Sequence, residues 1–205
     1  EPKLLLFDEH LSDLDATLRV RMRADLRRIQ QELRITSIYV THDQVEALAI
    51  SDRVAVMHEG IIEQDMEPER IFKHPKNPFV ASFMGFENHF AGEVDRIEGE
   101  RVYISTNSHT LEGVAKQSAE TLKKGENITV YFRAEGATID NNPGENNIPG
   151  KILVSTFHGS RLEYIVDTEL GEFVIRLGDD IKIDKDRKVY ITFAPDSLLV
   201  FPGSI

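Results

Sequence analysis

The chain has 205 residues, with 24 lysines and arginines against 35 aspartates and glutamates, and its formal net charge is −11 at pH 7. With 40% hydrophobic and 29% charged residues it is globular and not disordered, and its length allows one large domain or two small ones. The absence of cysteine excludes disulfides, zinc-thiolate sites and thiol chemistry. No apolar run approaches the ~20 residues of a membrane-spanning helix, and the acidic balance argues against a general nucleic-acid-binding protein.

The first predicted element is a strand from Leu4 to Phe7 that ends in two acids, Asp8 and Glu9. A short continuous apolar run is typical of a strand buried on both faces of a parallel sheet. Open α/β sheets place their ligands at the carboxyl ends of such strands. One carboxylate there can hold Mg²⁺, and a second one beside it can orient or deprotonate a water molecule. The same residues also fit a buried strand that simply ends in a polar turn.

A helix is predicted from about Asp15 to Leu33, because apolar residues recur there at steps of three and four and form one stripe. The stripe consists of Leu18, Met22, Leu26, Ile29 and Leu33. Either Asp15 or Ser12 can cap the first turn of this helix. Arginines occupy the other faces together with Asp25 and Glu32, which favours a solvated face over a phosphate- or DNA-binding patch. These arginines are Arg19, Arg21, Arg23, Arg27, Arg28 and Arg34.

A second buried strand, Ile38 to Val40, delivers His42 at its carboxyl end. A lone histidine is usually a core residue with satisfied hydrogen bonds, but this position beyond a strand end favours a functional role. Short elements are predicted to follow. They are a helix at 44–50, a hairpin of 53–58 and 61–64, a helix at 68–72, and a helix that carries Phe79, Val80, Phe83 and Met84.

Beyond a predicted boundary near residues 85–88, helical spacing gives way to short β-rich runs separated by turn residues. Strands of this length and spacing predict a small barrel or sandwich. The predicted strands are 92–97, 101–105, 127–132, 150–158, 162–167, 172–177, 188–194 and 198–201.

The order of Asp8-Glu9, the run from Leu11 to Asp15, and His42 resembles the Walker B, D-loop and H-loop of ABC-transporter ATPases. The run from His42 to Ala47 resembles importer ATPases of the maltose, spermidine and ferric-iron type especially closely. The β-rich part resembles the TOBE segment that follows such ATPase domains, although Ala134 stands where the usual pattern has proline. The TOBE-like motifs are 131–135, 157–160 with Tyr164, and 191–196.

The resemblance covers nearly the whole chain and implies its fold class. Residues 1–86 would be the C-terminal portion of an α/β nucleotide-binding domain, a partial P-loop NTPase fold. Residues 87–205 would be an all-β, OB-like TOBE barrel. Because a core strand follows directly on Glu1 to Lys3, we expect the chain to be cut from a longer protein.

The resemblance also implies a site for ATP and Mg²⁺. Asp8 would hold Mg²⁺ at the β- and γ-phosphates, and Glu9 would polarise the attacking water as a catalytic residue. His42 would contact the γ-phosphate and stabilise the charge that spreads over its oxygens. Asp15 would lie at the seam between two ATPase subunits. Gln44 and Glu46 are expected to be structural.

Two motifs of the resembling family are missing from the sequence. It contains neither a phosphate cradle of the type GxxxxGK[ST] nor an LSGGQ-type signature. Locally, His10 stands where the family usually has proline and Asp13 where it often has alanine, which affects the expected D-loop geometry but not the carboxylate pair. We therefore expect the parent protein to hydrolyse ATP and the 205-residue chain to be inactive.

The implied partners are a second copy of the chain, membrane permease subunits and, indirectly, an extracytoplasmic solute-binding protein, with no nucleic acid. The implied location is the cytoplasm, peripheral on the inner face of the cell membrane. A stand-alone regulatory or ligand-sensing dimerisation module without ATPase activity is the alternative. A cytosolic ABC ATPase of translation or DNA repair is a third reading, which the TOBE-like tail disfavours.

Overall fold

A computed structural model describes residues 3–8, 15–116, 121–179 and 182–203. The chain divides into two compact units, Glu1–Lys76 and Asn77–Ile205. The first unit is mixed α/β and the second is almost entirely β. None of the helices in the described ranges is long and apolar enough to cross a membrane.

The elements of the first unit confirm the order predicted from the sequence. They are β1 (Leu4–Asp8), α1 (Ala16–Leu33), β2 (Thr36–Val40), α2 (Gln44–Ile50), β3 (Val54–His58), β4 (Ile61–Met66) and α3 (Pro68–Lys73).

Strands β1 and β2 pair in parallel, with Leu6 opposite Ile38 and Asp8 opposite Val40. Their continuous apolar sequence predicted burial on both faces, but alternate side chains lie in solvent: Leu6 is 70% exposed and Ile38 52%. The exposed side chains lie on one face of this two-stranded sheet, because paired positions of the two strands share a face. One apolar face of the pair is therefore uncovered.

Helix α1 begins where the sequence predicts. The Asp15 carboxylate caps it by accepting a hydrogen bond from the Leu18 amide at 2.9 Å, and Arg34 ends it in the left-handed conformation at φ 52°. The apolar stripe is less buried than predicted, since Ile29 and Leu33 are exposed. Arg27 joins this helix to the end of α2 through the Ile50 carbonyl and the Asp52 carboxylate.

The hairpin of β3 and β4 also forms as predicted. Glu59 and Gly60 both have positive φ, 48° and 81°, which a two-residue hairpin turn requires and which glycine adopts without steric cost. Gln64 on β4 is buried and bonds to the backbone of the segment after α3, donating to the His74 carbonyl and accepting from the Lys76 amide.

The second unit starts with one short helix and continues with strands. Its elements are α4 (Pro78–Phe83), β5 (Asn88–Glu98), β6 (Arg101–Ser105), β7 (Thr110–Val114), β8 (Asn127–Phe132), β9 (Ala137–Asp140), β10 (Asn147–Phe157), β11 (Arg161–Thr168), β12 (Gly171–Gly178), β13 (Lys188–Phe193) and β14 (Leu199–Pro202). The predicted strands are confirmed, whereas β7 and β9 were not predicted. Both are short, and β7 contains Gly113, a residue that is depleted in strands.

These strands form a closed barrel in the order β14-β7-β6-β5-β8 and a five-stranded sheet in the order β12-β11-β10-β13-β9. An all-β barrel was expected for this part of the chain, and the structure shows a five-stranded sheet in addition to the barrel. The core shared by the two is aromatic: Phe132 of the barrel contacts Phe173 and Phe193 of the sheet, each with ring centroids 5.0 Å apart.

Along the chain, the boundary between the two compact units falls between Lys76 and Asn77, ten residues before the boundary predicted after residue 86. The physical reason lies in the segment after α4. The Arg133 guanidinium donates to the Met84 carbonyl at 3.2 and 3.0 Å and lies 3.8 Å from the centre of the Phe86 ring. This segment therefore packs with the β-rich unit, while the assignment of 1–86 and 87–205 as domains stays a prediction.

Candidate functional site

The candidate site lies at the carboxyl edge of the β1–β2 pair. Asp8 is the last residue of β1 and pairs with Val40, and His42 lies two residues beyond Val40. Because the strands run in parallel, both carboxyl ends reach the same edge of the sheet. The side chains of Asp8 and His42 are both exposed there. The structure thus brings these two predicted site residues to one place.

Glu9 follows Asp8 directly in the sequence but lies outside the described residues, as do His10 and Asp13. The catalytic role predicted for Glu9 therefore rests on its sequence position next to Asp8. The expected effect of His10 and Asp13 on the D-loop likewise rests on the sequence alone.

Asp15 has a defined structural task as the N-cap of α1. A carboxylate at this position satisfies one of the free amides of the first turn and is favoured by the helix dipole. Its predicted place at a subunit seam stays a prediction.

The turn that carries His42 is held by its neighbours on both sides. The Asp43 carboxylate caps α2 by accepting from the amides of Val45 at 2.7 Å and Glu46 at 3.2 Å. The Asp43 amide in turn donates to the Thr41 hydroxyl oxygen at 3.0 Å. The backbone on either side of His42 is thus fixed by hydrogen bonds.

Glu46, which we expected to be structural, lies beside this turn. Its side chain is only 2% exposed, and its Oε2 accepts hydrogen bonds from the Thr41 hydroxyl at 2.9 Å and the Tyr39 hydroxyl at 3.3 Å. Asp43 and Glu46 have the spacing of a capping box, but the Asp43 amide donates to Thr41 while Glu46 accepts from the two hydroxyls.

The described residues fit one part of a nucleotide site. Asp8 offers an exposed carboxylate, the ligand type that Mg²⁺ prefers, and Mg²⁺ sites of this kind are completed by substrate phosphates and water. Within the described ranges, no group of three or more histidines or acids could by itself hold a metal ion. The sequence also has no phosphate cradle, so the phosphate-binding part of such a site has no counterpart in this chain.

A second charged cluster lies in the β-rich unit, around Arg176 on β12. Its guanidinium pairs with Glu87 through both terminal nitrogens, with Glu163 at 2.8 Å and with Glu135 at 3.3 Å. Burial alone would lower the pKa of Arg176, but the hydrogen bonds to Glu87 and Glu163 outweigh it and raise the pKa above its ordinary value. The cluster therefore joins β12 to β11 through Glu163, and to the segments before β5 and after β8 through Glu87 and Glu135.

Comparison with known proteins supports the implied family. Residues 130–201 match the family model of the TOBE domain. The spermidine/putrescine import ATP-binding protein PotA of Vibrio cholerae is 39% identical over 202 residues, which cover 94% of this chain and 53% of that protein. The Fe(3+) ions import ATP-binding protein FbpC of Agrobacterium fabrum is 40% identical over 179 residues, covering 85% of this chain and 48% of that protein.

Among solved structures, the chain is similar to the cytoplasmic molybdate-binding protein ModG in its molybdate-bound form. The match covers 57% of this chain and 96% of the ModG chain. The TM-score is 0.51 and the sequence identity 15%, a likeness that concerns the fold alone and supports an OB-like β unit. The chain spans about half the length of the curated relatives it matches. The chain thus contains a TOBE domain and is related over most of its residues to ATP-binding subunits of ABC importers.

Proposed function

We propose that the chain is the C-terminal part of the ATP-hydrolysing subunit of an ABC-type solute importer. The observation that carries this proposal is the parallel pairing of β1 and β2, which brings Asp8 and His42 to one sheet edge. Two further facts support a longer parent protein: the chain spans 53% of a relative that it matches over 94% of its own residues, and the apolar face around Leu6 and Ile38 is uncovered.

Each site residue has a distinct proposed task in the parent. Asp8 would give a carboxylate oxygen to Mg²⁺, which when bound with ATP neutralises charge on the phosphates. Glu9 would orient and polarise the attacking water. His42 would donate a hydrogen bond to the γ-phosphate oxygens as negative charge spreads over them. Asp15 would lie at the seam of two subunits while it caps α1.

The proposed assembly is a homodimer at the cytoplasmic face of the cell membrane. The relatives are named as import ATP-binding proteins, which supports membrane permease subunits as partners and an extracytoplasmic solute-binding protein as an indirect one. The net charge of −11 supports the absence of a nucleic-acid partner, because such binding relies on basic side chains.

The second candidate function is a regulatory or ligand-sensing dimerisation module without ATPase activity. It is favoured by one observation, that the β-rich unit has a continuous core of its own and contains the whole TOBE match. Sequencing the gene upstream of residue 1 separates the two. A GxxxxGK[ST] motif and an LSGGQ-like stretch there would support the ATPase, and their absence would support the module.

The catalytic roles are tested in the full-length protein with Glu9→Gln and His42→Ala. Both variants should keep ATP binding, because neither residue forms the phosphate cradle. Glu9→Gln should nearly abolish phosphate release, and His42→Ala should lower it by roughly 10²-fold or more, as loss of one transition-state donor does. The matched controls are Glu32→Gln and His58→Ala, both exposed and away from the strand edge, and these should turn over ATP normally. Near-normal phosphate release in either test variant would contradict the role given to that residue.

A further inference from the structure

The buried carboxylate of Glu46 is hydrogen-bonded to Thr41, the residue before His42 in the candidate site. We propose that Glu46 and Thr41 are positioning residues that fix the turn carrying His42, so that its imidazole leaves the sheet edge in one direction. This inference rests on the proposed function of His42 and adds residues to which that function assigned no part.

The geometry is a closed ring of hydrogen bonds. Glu46 accepts from the Thr41 hydroxyl, the Thr41 oxygen accepts from the Asp43 amide, and the Asp43 carboxylate accepts from the Glu46 amide. The ring joins the residue before His42 to the residue after it. Because both flanking positions are tied to the first turn of α2, the backbone of His42 has little freedom.

Glu46, the proposed positioning residue, and His42, the residue that it would position, differ in burial. Glu46 is 2% exposed, whereas His42 is exposed. Burial of a carboxylate is unfavourable unless hydrogen bonds compensate it. Here one carboxylate oxygen accepts two hydroxyl donors, because Tyr39 also bonds to it. A leucine would fill such a position without this cost, so the buried acid supports the proposed role in orienting the turn.

A rigid turn matters for the proposed chemistry. A donor contributes to transition-state stabilisation only when it is held where the charge develops, and a displacement of about 1 Å can lower a rate by about 10²-fold. We therefore expect loss of the ring to affect turnover and to leave nucleotide affinity nearly unchanged.

The test uses two matched pairs of variants in the full-length protein. Thr41→Val and Glu46→Met remove the ring's donor or acceptor with little change in size, and should lower kcat by about tenfold or more while KM for ATP stays within about twofold. Thr41→Ser keeps the hydroxyl, and Glu46→Gln keeps an oxygen that can accept both donors. These two conservative variants should retain near-normal kcat. Thermal unfolding of each variant identifies any that fails to fold, in which case the other pair decides.

A double-mutant cycle with His42→Ala shows whether the effect passes through His42. If it does, Thr41→Val should lower kcat no further in the His42→Ala background, because the two changes remove one shared contribution. Additive losses, or normal kcat in Thr41→Val beside a strongly impaired His42→Ala, would overturn the positioning role alone. Normal turnover in His42→Ala itself would contradict the catalytic role proposed for His42 and, with it, this inference.

Discussion

Arg133 illustrates how a single side chain fixes the path of the chain in the β-rich unit. It lies between the backbone of Met84 and the ring of Phe86, with two hydrogen bonds to one carbonyl oxygen. Burial lowers its pKa to about 10, although Glu135 acts in the opposite direction. The burial of this charged group is tolerated because its hydrogen bonds and its stacking on the ring compensate part of the desolvation cost.

Replacing Arg133 by methionine should therefore destabilise the β-rich unit. Hydrogen bonds to charged groups contribute roughly 1.5–3 kcal/mol, so we expect the free energy of unfolding to fall by about 1–3 kcal/mol in urea denaturation. Arg161→Met is the matched control, because that side chain is 54% exposed and its ion pair with Glu135 is long, at 3.8 Å. The control should change stability by less than about 0.5 kcal/mol. Equal midpoints for the two variants would show that the contacts of Arg133 are not stabilising.

The lowered pKa of Arg133 also predicts a pH dependence with a definite sign. Between about 10 and the higher ordinary pKa of arginine, the unfolded chain holds this proton and the folded chain releases it. The unfolded state thus binds more protons, and the contribution of Arg133 to the free energy of unfolding rises with pH in this range. The stability gap between wild type and Arg133→Met should widen from pH 9 to pH 11. A gap that narrows would contradict the assigned pKa.

At the scale of elements, aromatic packing joins the barrel to the adjoining sheet. Phe132 on β8 is fully buried and contacts Phe90 of the barrel as well as Phe173 on β12 and Phe193 on β13. Edge-to-face pairs of this kind add about 0.5–1.5 kcal/mol each beyond the area they bury. The barrel and sheet should therefore unfold as one cooperative body.

Phe132→Ala should lower the free energy of unfolding by about 3–5 kcal/mol, the usual effect of removing a buried aromatic ring. Phe157→Ala is the matched control, since that ring is 64% exposed at the tip of the β10–β11 hairpin, and it should shift stability by less than about 0.5 kcal/mol. Circular dichroism during urea denaturation measures both. A loss for Phe132→Ala as small as that of the control would mean that the aromatic cluster does not hold the two sheets together.

The sequence predicts elements best where local chemistry decides their form. Glu59-Gly60 marks its hairpin, and Asp15 caps its helix, because turns and caps depend on a few adjacent residues. Strand β9 was missed because its four residues pair only with β13, far along the chain, a partner that no local pattern reveals. The burial of Glu46 could not be predicted for the same reason, since it depends on Tyr39 and the packing of the first unit. The edge position of Asp8 and His42 was predictable from strand direction alone.

At the scale of the whole molecule, the exposed apolar face of the β1–β2 pair is a surface through which chains can associate. Leu4 and Val40 on this face are also exposed, at 45% and 53%. Neither strand has a further hydrogen-bonded neighbour within the described residues, and open strand edges can pair with other chains.

We therefore expect the 205-residue chain to form dimers or larger oligomers, with the β-rich unit contributing much of the contact. Obligate interfaces typically bury upward of ~2,000 Å² in total. Light scattering across a dilution series measures the oligomeric state. Glu32→Gln, an exposed change on α1, should behave as wild type, whereas Leu6→Lys should reduce association if the sheet face takes part. A strictly monomeric wild-type chain at high micromolar concentration would rule out this expectation.

The proposal that the chain is the C-terminal part of an importer ATPase is tested most directly by phosphate release from ATP. The full-length protein and the 205-residue chain are assayed side by side with Mg²⁺. We expect turnover by the full-length protein and none by the chain, which supplies Asp8, Glu9 and His42 but no phosphate cradle. Turnover by the chain alone, or its absence in a folded full-length protein, would contradict the proposed function.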